Sequence, residues 1–421
     1  MKFCLYLFLS SLTLCCLGFF YQPYIPIHSD SQLPKANHSI RTINPIDTNY
    51  QDLAFLREDL EGVEMIMLGE QYHGDGSTFL AKSRLVKFLH QELDFDVLLF
   101  ESNIYECFHL WKNITTTTNE SPDSFRKALF YFWAEANETK NLRTYIVEQA
   151  QSIRPLILGG FDLQLSGDIT DLDRMYLIET YLASKNISLK KDYQQLRSTI
   201  SNYPHWISKT GTEYIKRKSL ESTILNELTH LINRLLRSQQ TTDDQIFIQY
   251  LSGIKTELTY TWTYPEDSIR QSSIRDSMMA ANVIWLKEQL YQNKKVILWA
   301  ANPHVVAGEK NATMANYLKA KYDSLCYSIN FTSHFGKTYN FSSNIHEKRN
   351  RKELPIGTGT VNGIESMLHN EGQPFVFINL RNSANKTFTM KLWAYHHQTT
   401  QWNSLTDGIF YIDQMKPATF N

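Results

Sequence analysis

The chain has almost no charge imbalance. Its 42 Lys and Arg face 43 Asp and Glu, a formal net charge of -1. A protein that neutralises a phosphate backbone needs a basic surface, so nucleic acid is not an expected partner. Glycine-rich signatures are also missing. There is no Gly-x-x-x-x-Gly-Lys-Ser/Thr loop and no Gly-x-Gly-x-x-Gly turn, which removes the common nucleotide-binding readings. No Gly-x-Ser-x-Gly elbow is present, which disfavours a serine nucleophile of the α/β-hydrolase kind, and no His-Glu-x-x-His helix is present either. Cysteine is scarce. Of five, Cys4, Cys15 and Cys16 lie in the first stretch, leaving Cys107 and Cys326. A single pair is not a disulfide framework, and both are expected as buried free thiols.

Long apolar runs are nearly absent too. Leu5 to Phe20 stands alone, uncharged and preceded by Lys2. At about 16 residues it is short for a membrane span and suits a secretory core. Residues 1–22 therefore predict a signal peptide, and the polar, proline-bearing residues 23–48 a tether. An exported protein of the periplasm or cell envelope follows. Membrane attachment through an uncleaved anchor or a lipid on Cys15 or Cys16 is the alternative. The residues before those cysteines, Leu14 and Cys15, are not the small ones a lipidation site prefers.

What remains is an ordinary globular composition, 42% apolar and 20% charged, so a packed core is expected. Four short apolar runs organise it: Val63–Leu68, Val97–Phe100, Pro155–Leu158 and Val296–Trp299. Helical patterns separate them, as in Ser77–Leu93, where Leu85, Phe88, Leu89 and Leu93 share one face. Continuous apolar strands alternating with helices predict an α/β fold with a mostly parallel central sheet covered by helices. From 186 to 265 the pattern turns all-helical, with Leu225, Leu228, Ile232 and Leu235 and then Phe247, Leu251, Ile254 and Leu258 at helical spacing. This segment is read as an inserted lid. It divides an α/β catalytic core into 49–185 and 266–421. Its aromatic flanks (Tyr203, Trp206, Tyr214, Tyr260, Trp262, Tyr264) are each more readily core than ligand-lining. The tail runs Phe375–Leu380, Thr387–Tyr395 and Gly408–Ile412 predict further strands at the sheet edge.

In parallel sheets ligands sit beyond the carboxyl ends of the strands. Here those ends carry Glu70 and His73, then Glu101, then Asp162, then Asn302 and His304. Buried carboxylates are costly unless paired. One alone, Asp162 for instance, is explained as a helix cap. Five ionisable groups at one place point to a polar catalytic or metal cleft. His73 is the natural general base. Lys82 and Arg84, on the helix that follows, are placed to bind a carboxylate or an oxyanion, although such residues more often form a solvated helix face. His73, His304, Glu70 and Glu101 are also acceptable ligands for a divalent ion.

These residues occur in arrangements that resemble the erythromycin esterase family. Leu68-Gly69-Glu70-x-x-His73-Gly74, a Lys and an Arg in the next helix, and Phe100-Glu101 open the series. Gly160-Phe161-Asp162-x-Gln164, Arg275-Asp276-x-x-Met279-Ala280-x-Asn282 and Asn302-Pro303-His304-Val305 continue it. Glu365-x-x-Leu368-His369, Leu380-Arg381 and Asp413-x-x-x-Pro417-Ala418 close it. The similarity runs from about Leu53 to Ala418, in the family's order.

The resemblance implies an α/β core with a helical insertion and hydrolysis of an ester or lactone by activated water, without an acyl-enzyme or a required cofactor. It puts the base on His73, supporting acids on Glu70 and Glu101, a second histidine on His304 and a cation on Lys82. Asp162, Arg84, Arg275, Asp276 and Asn302 would support or bind substrate. Two departures stand out. Pro303 replaces the usual Ala, stiffening the approach to His304. Lys82 stands where some members carry Arg. A small-molecule ester or lactone is the expected partner. A metal-dependent hydrolase at the same cleft, and a non-catalytic envelope binding protein, are the alternatives.

Overall fold

In a computed structural model of the chain, residues 38–117, 120–168, 171–201, 211–238, 240–341, 351–381, 383 and 387–420 are described. The expected signal peptide and most of the tether, with Cys15, Cys16, Tyr203 and Trp206, lie outside the described residues. No helix among the described residues is long and apolar enough to cross a membrane.

The strands in chain order are β1 (His38–Ser39), β2 (Met65–Leu68), β3 (Val97–Asn103), β4 (Ile157–Asp162), β5 (Val296–Trp299), β6 (Cys326–Phe341), β7 (Arg351–Pro355), β8 (Phe375–Asn379), β9 (Thr387–Trp393), β10 (His396–Gln401) and β11 (Gly408–Met415). Nine of them form one sheet in the order β1-β8-β11-β6-β2-β5-β3-β4, with β7 added on β6. The middle of the sheet is parallel: β11 with β6, β6 with β2, β2 with β5, and β5 with β3. Every residue of β2, β3 and β5 is buried, the reason these strands read as unbroken apolar runs. The α/β class and mostly parallel sheet are therefore those expected.

The tail is placed differently in detail. β8 and β1 finish the sheet as antiparallel strands. β11 runs inside it, between β6 and β8. β9 and β10 form a separate antiparallel pair. Ile409, Phe410, Tyr411 and Ile412 are all buried, the mark of a strand covered on both faces and not of an edge.

The chain divides into two compact units. One takes in everything described up to Glu101, Phe132–Leu158, and everything described from Tyr291 onward. Its long helix Gly76–Leu93 buries Leu85, Phe88 and Leu89 and ends at Asp94 in the left-handed conformation. The other comprises Ser102–Tyr131 and Gly159–Leu290. It holds the helices Gly211–Leu236 and Thr242–Thr263, the second opened by a reciprocal Thr241–Asp244 capping box. Leu228, Leu231, Leu235, Phe247, Leu251 and Leu258 form its apolar interior. Cys107 and Cys326 are buried free thiols.

Candidate active site

The sheet register sets the stage. Leu68 and Phe100 both pair with Trp299, so the next residues on three strands emerge at one level. The main chain laces them together. Ala300 N–H donates to Leu68 O at 3.1 Å and Asn302 N–H to Glu70 O at 2.8 Å. Ala301 N–H donates to Glu101 Oε2 at 2.9 Å. Gly69 is required here, since a Cβ at that position would collide with Asn302 Oδ1 and approach Val305 Cγ2.

Glu70 is fully buried and its carboxylate is saturated. Oε1 accepts from Trp133 Nε1 at 2.9 Å and faces His73 Nδ1 at 2.9 Å. Oε2 accepts from Lys82 Nζ at 2.8 Å. Lys82 is equally buried. It also donates to Ala300 O at 3.2 Å and lies 4.2 Å from the Trp299 ring centre. Burial pulls its pKa down to about 8, against the opposing pull of Glu70. An ammonium so enclosed cannot meet a substrate. Lys82 therefore acts through Glu70, and the expected direct contact with an oxyanion is corrected to a charge-balancing role.

The His73 side chain keeps a quarter of its surface exposed. Its ring stacks on Phe132 at 4.3 Å and meets the edge of Trp133 at 5.3 Å. With Nδ1–H directed to Glu70, Nε2 carries the lone pair. Phe132 and Trp133 come from the short helix Tyr131–Ala134. Arg143, itself buried, anchors that turn by donating to Trp133 O at 2.9 Å and Ala136 O at 3.0 Å.

A second pair lies beside β5. His304 Nε2 stands 3.2 Å from Glu101 Oε1. His304 belongs to the single turn Asn302–Val305, with Pro303 in the first turn where its missing N–H costs nothing. Asn302 is structural: its amide donates to Phe331 O at 3.2 Å and Leu392 O at 2.8 Å.

The loop between Glu70 and the following helix is tied down from below. Asp75, fully buried, accepts from Thr338 Oγ1 at 2.6 Å, Tyr395 Oη at 2.9 Å and Tyr72 N–H at 3.1 Å. Burial raises its pKa to about 7, and those hydrogen bonds hold it from going higher. Gln71 donates to Phe331 O at 3.1 Å and Lys391 O at 2.7 Å. Reading the sequence missed Trp133, Phe132, Gln71 and Asp75. Gln71 and Asp75 lie two residues either side of His73 and belong to none of the patterns that mark the strand ends. Trp133 and Phe132 sit some sixty positions downstream with no local signature.

The remaining expected residues have other partners. Arg84 is neither a solvated face nor part of the Glu70 cluster. It is buried, holds Asp52 at 2.7 and 2.9 Å, and donates to Thr42 O and Asn49 O. The helix face it shares is covered by residues 42–52. In the second unit Arg275 grips Asp162 through Nε at 3.1 Å and Nη2 at 2.5 Å, while Asp276 is buried on the same helix, Ser268–Trp285. Among the described residues, three His, Cys, Asp or Glu donors converge within 4.8 Å at His334, His369 and Asp413. That set shares no member with the strand ends.

Residues 90–415 match the family model described as erythromycin esterase. The chain belongs to the erythromycin esterase family. The matched span holds Glu101, Trp133 and His304 and begins after the Glu70–His73 loop. A curated Bacillus subtilis (strain 168) relative, named "Putative hydrolase YbfO", is 25% identical over 414 residues, covering 90% of each chain. Among solved structures, a Bacillus cereus protein superposes with a TM-score of 0.74 at 18% identity, covering 92% of this chain and 97% of that one. A mutant of the erythromycin esterase EreC in its open conformation gives a TM-score of 0.67 at 14% identity, covering 91% and 98%. These structures share the fold. The family and the B. subtilis relative's name indicate an erythromycin esterase-like hydrolase.

Proposed function

We propose that the protein hydrolyses a carboxylic ester or lactone with water activated by His73. The observation that carries this reading is the arrangement of Glu70. Its buried charge is balanced by Lys82 and Trp133, and it orients His73 through Nδ1, leaving Nε2 unused by this carboxylate on a ring that is a quarter exposed. His73 Nε2 takes a proton from water as the oxygen adds to the carbonyl carbon. The imidazolium is stabilised by Glu70 and then returns the proton to the departing alkoxide. His304, protonated and oriented through Nε2 by Glu101, donates from its other ring nitrogen to the tetrahedral oxyanion. The nucleophile is water and no acyl-enzyme forms, a reading supported by the lack of a Gly-x-Ser-x-Gly elbow in the sequence. Both oxygens of Glu70 are already engaged, which favours proton transfer over metal ligation here. The uncharged run Leu5–Phe20 supports action outside the cytoplasm, with the chain free or membrane-attached.

The test is a panel of chromogenic esters and lactones, run on wild type and His73→Ala with and without chelator. Hydrolysis that persists with chelator and disappears in His73→Ala is expected. Full turnover by His73→Ala removes the proposed base. Loss of wild-type turnover on chelation moves the reaction to a metal, and ligand binding without any turnover makes the chain a binding protein.

A further inference from the structure

A second group of chemically capable side chains in the first unit shares no member with the glutamate–histidine pairs. His334 comes from β6, Asp413 from β11 and His369 from the helix Ile364–Asn370. Strand register fixes two of them, since Ile412 pairs with Ser333 and Gln414 with Phe335. One donor atom from each of the three residues lies within 4.8 Å of the other two. His369 Nδ1 is 2.8 Å from Asp413 Oδ1. The two imidazoles face each other, ring centres 4.2 Å apart and 18° from parallel.

Two details distinguish this from an ordinary Asp–His pair. His334 Nδ1 is buried and no protein group hydrogen-bonds it, a cost of the kind that a ligand removes. The surrounding groups also orient the donors. Tyr411 Oη donates to Asp413 Oδ1 at 2.6 Å, and Ser366 Oγ lies 3.3 Å from His334 Nε2. Such outer partners fix ring and carboxylate direction in metal sites.

We propose that His334, His369 and Asp413 bind one transition-metal ion that clasps β6, β11 and the helix Ile364–Asn370 together. Two nitrogens and one oxygen select a borderline ion of the zinc, cobalt or nickel type over calcium or magnesium, which take oxygen sets. The neighbouring charges do not argue otherwise. Lys391 is held by three carbonyl oxygens, of Ser333, His334 and Gly357, and Glu365 by Thr332 and the Lys391 N–H. Ligands of one zinc ion with bonds of about 2.1 Å lie no more than about 4.2 Å apart, so side-chain rotation closes the set. Three protein ligands leave a fourth position for water.

The inference is independent of the hydrolytic mechanism. Tag-free full-length protein is titrated with Zn²⁺ by calorimetry, and with Co²⁺ by visible absorption. One ion per chain is expected, with a tetrahedral cobalt spectrum and a raised Tm. His369→Ala, at an exposed position where folding is not at stake, and Asp413→Asn each abolish the spectrum. Tyr411→Phe, which removes the outer partner of Asp413 and a 3.3 Å bond to Glu365 O but no ligand, weakens affinity by roughly 10–100-fold. His73→Ala and the double variant His396→Ala/His397→Ala bind as wild type. Three results overturn the proposal: no stoichiometric binding, binding unchanged in His369→Ala, or binding abolished by His73→Ala.

Discussion

The two glutamate–histidine pairs use the same chemistry and are built in different ways. Glu70 and His73 are three residues apart on one loop. Glu101 and His304 are about two hundred apart and meet because β3 and β5 are neighbours in register. The first carboxylate is balanced by a buried lysine and an indole N–H. The second has a main-chain N–H and its own histidine. The His73 side chain is 25% exposed and stacks on Phe132, whereas that of His304 is 12% exposed. A histidine whose partner charge is locked in place cycles between neutral and protonated forms at low reorganisation cost. That is what a base needs.

The comparison breaks first at the histidines. His73→Ala should lower kcat by roughly 10²–10⁴, the contribution of a positioned general base. His304→Ala should lower it by about 10²–10³, as expected of a lost oxyanion donor. Steady-state kinetics on both variants checks this, and a larger loss in His304→Ala than in His73→Ala would reverse the assignment.

The carboxylates test the same contrast through stability. Glu70→Gln leaves Lys82 buried without its counter-charge, which should cost about 3–5 kcal/mol in urea unfolding. Glu101→Gln keeps a hydrogen-bonding group against Ala301 N–H and leaves Lys82 its direct contact with Glu70, so about 1–3 kcal/mol is expected. Equal losses would mean the two pairs are built alike. Trp133→Phe tests the first pair through its indole. It keeps an aromatic ring but removes one donor to a charged oxygen, worth about 1.5–3 kcal/mol, and it should leave the Glu101 pair untouched.

Much of this contrast can be anticipated from residue order, and some cannot. Glu70 and His73 follow an apolar run directly, and Glu101 and His304 follow two others, so their placement at strand ends needs only the parallel-sheet rule. The insulation around Glu70 is different. Trp133 arrives from a turn with no motif, and Lys82 reads as one polar residue on a helix. That helix also buries Arg84 and Lys87, because protein covers it on faces that amphipathic pattern assigns to water. β11 shows the same limit from the other side. Its apolar stretch Ile409–Ile412 signals a strand covered on both faces, yet only the pairing with β6 and β8 puts it inside the sheet.

The smallest effect concerns pH, and it belongs to the first pair alone. Asp75 clamps the loop that carries His73, and its pKa is raised by burial to about 7, from about 3.9 in an unfolded chain. Between those values the folded protein holds a proton that the unfolded chain has lost. The favourable contribution of this group is therefore complete below the unfolded pKa and disappears as pH rises through about 7. Lys82 works in another window. Its pKa is lowered to about 8, so its burial penalty is constant below that pH and eases only toward its unfolded value near 10.4. From pH 5 to 7 the slope of stability assigned to these two groups is thus that of Asp75. Asp75→Asn should flatten the decline in Tm over that range while keeping the loop's acceptor for Tyr72 N–H. A parallel decline in Asp75→Asn and wild type would show that the loop beneath His73 is not held by this carboxyl.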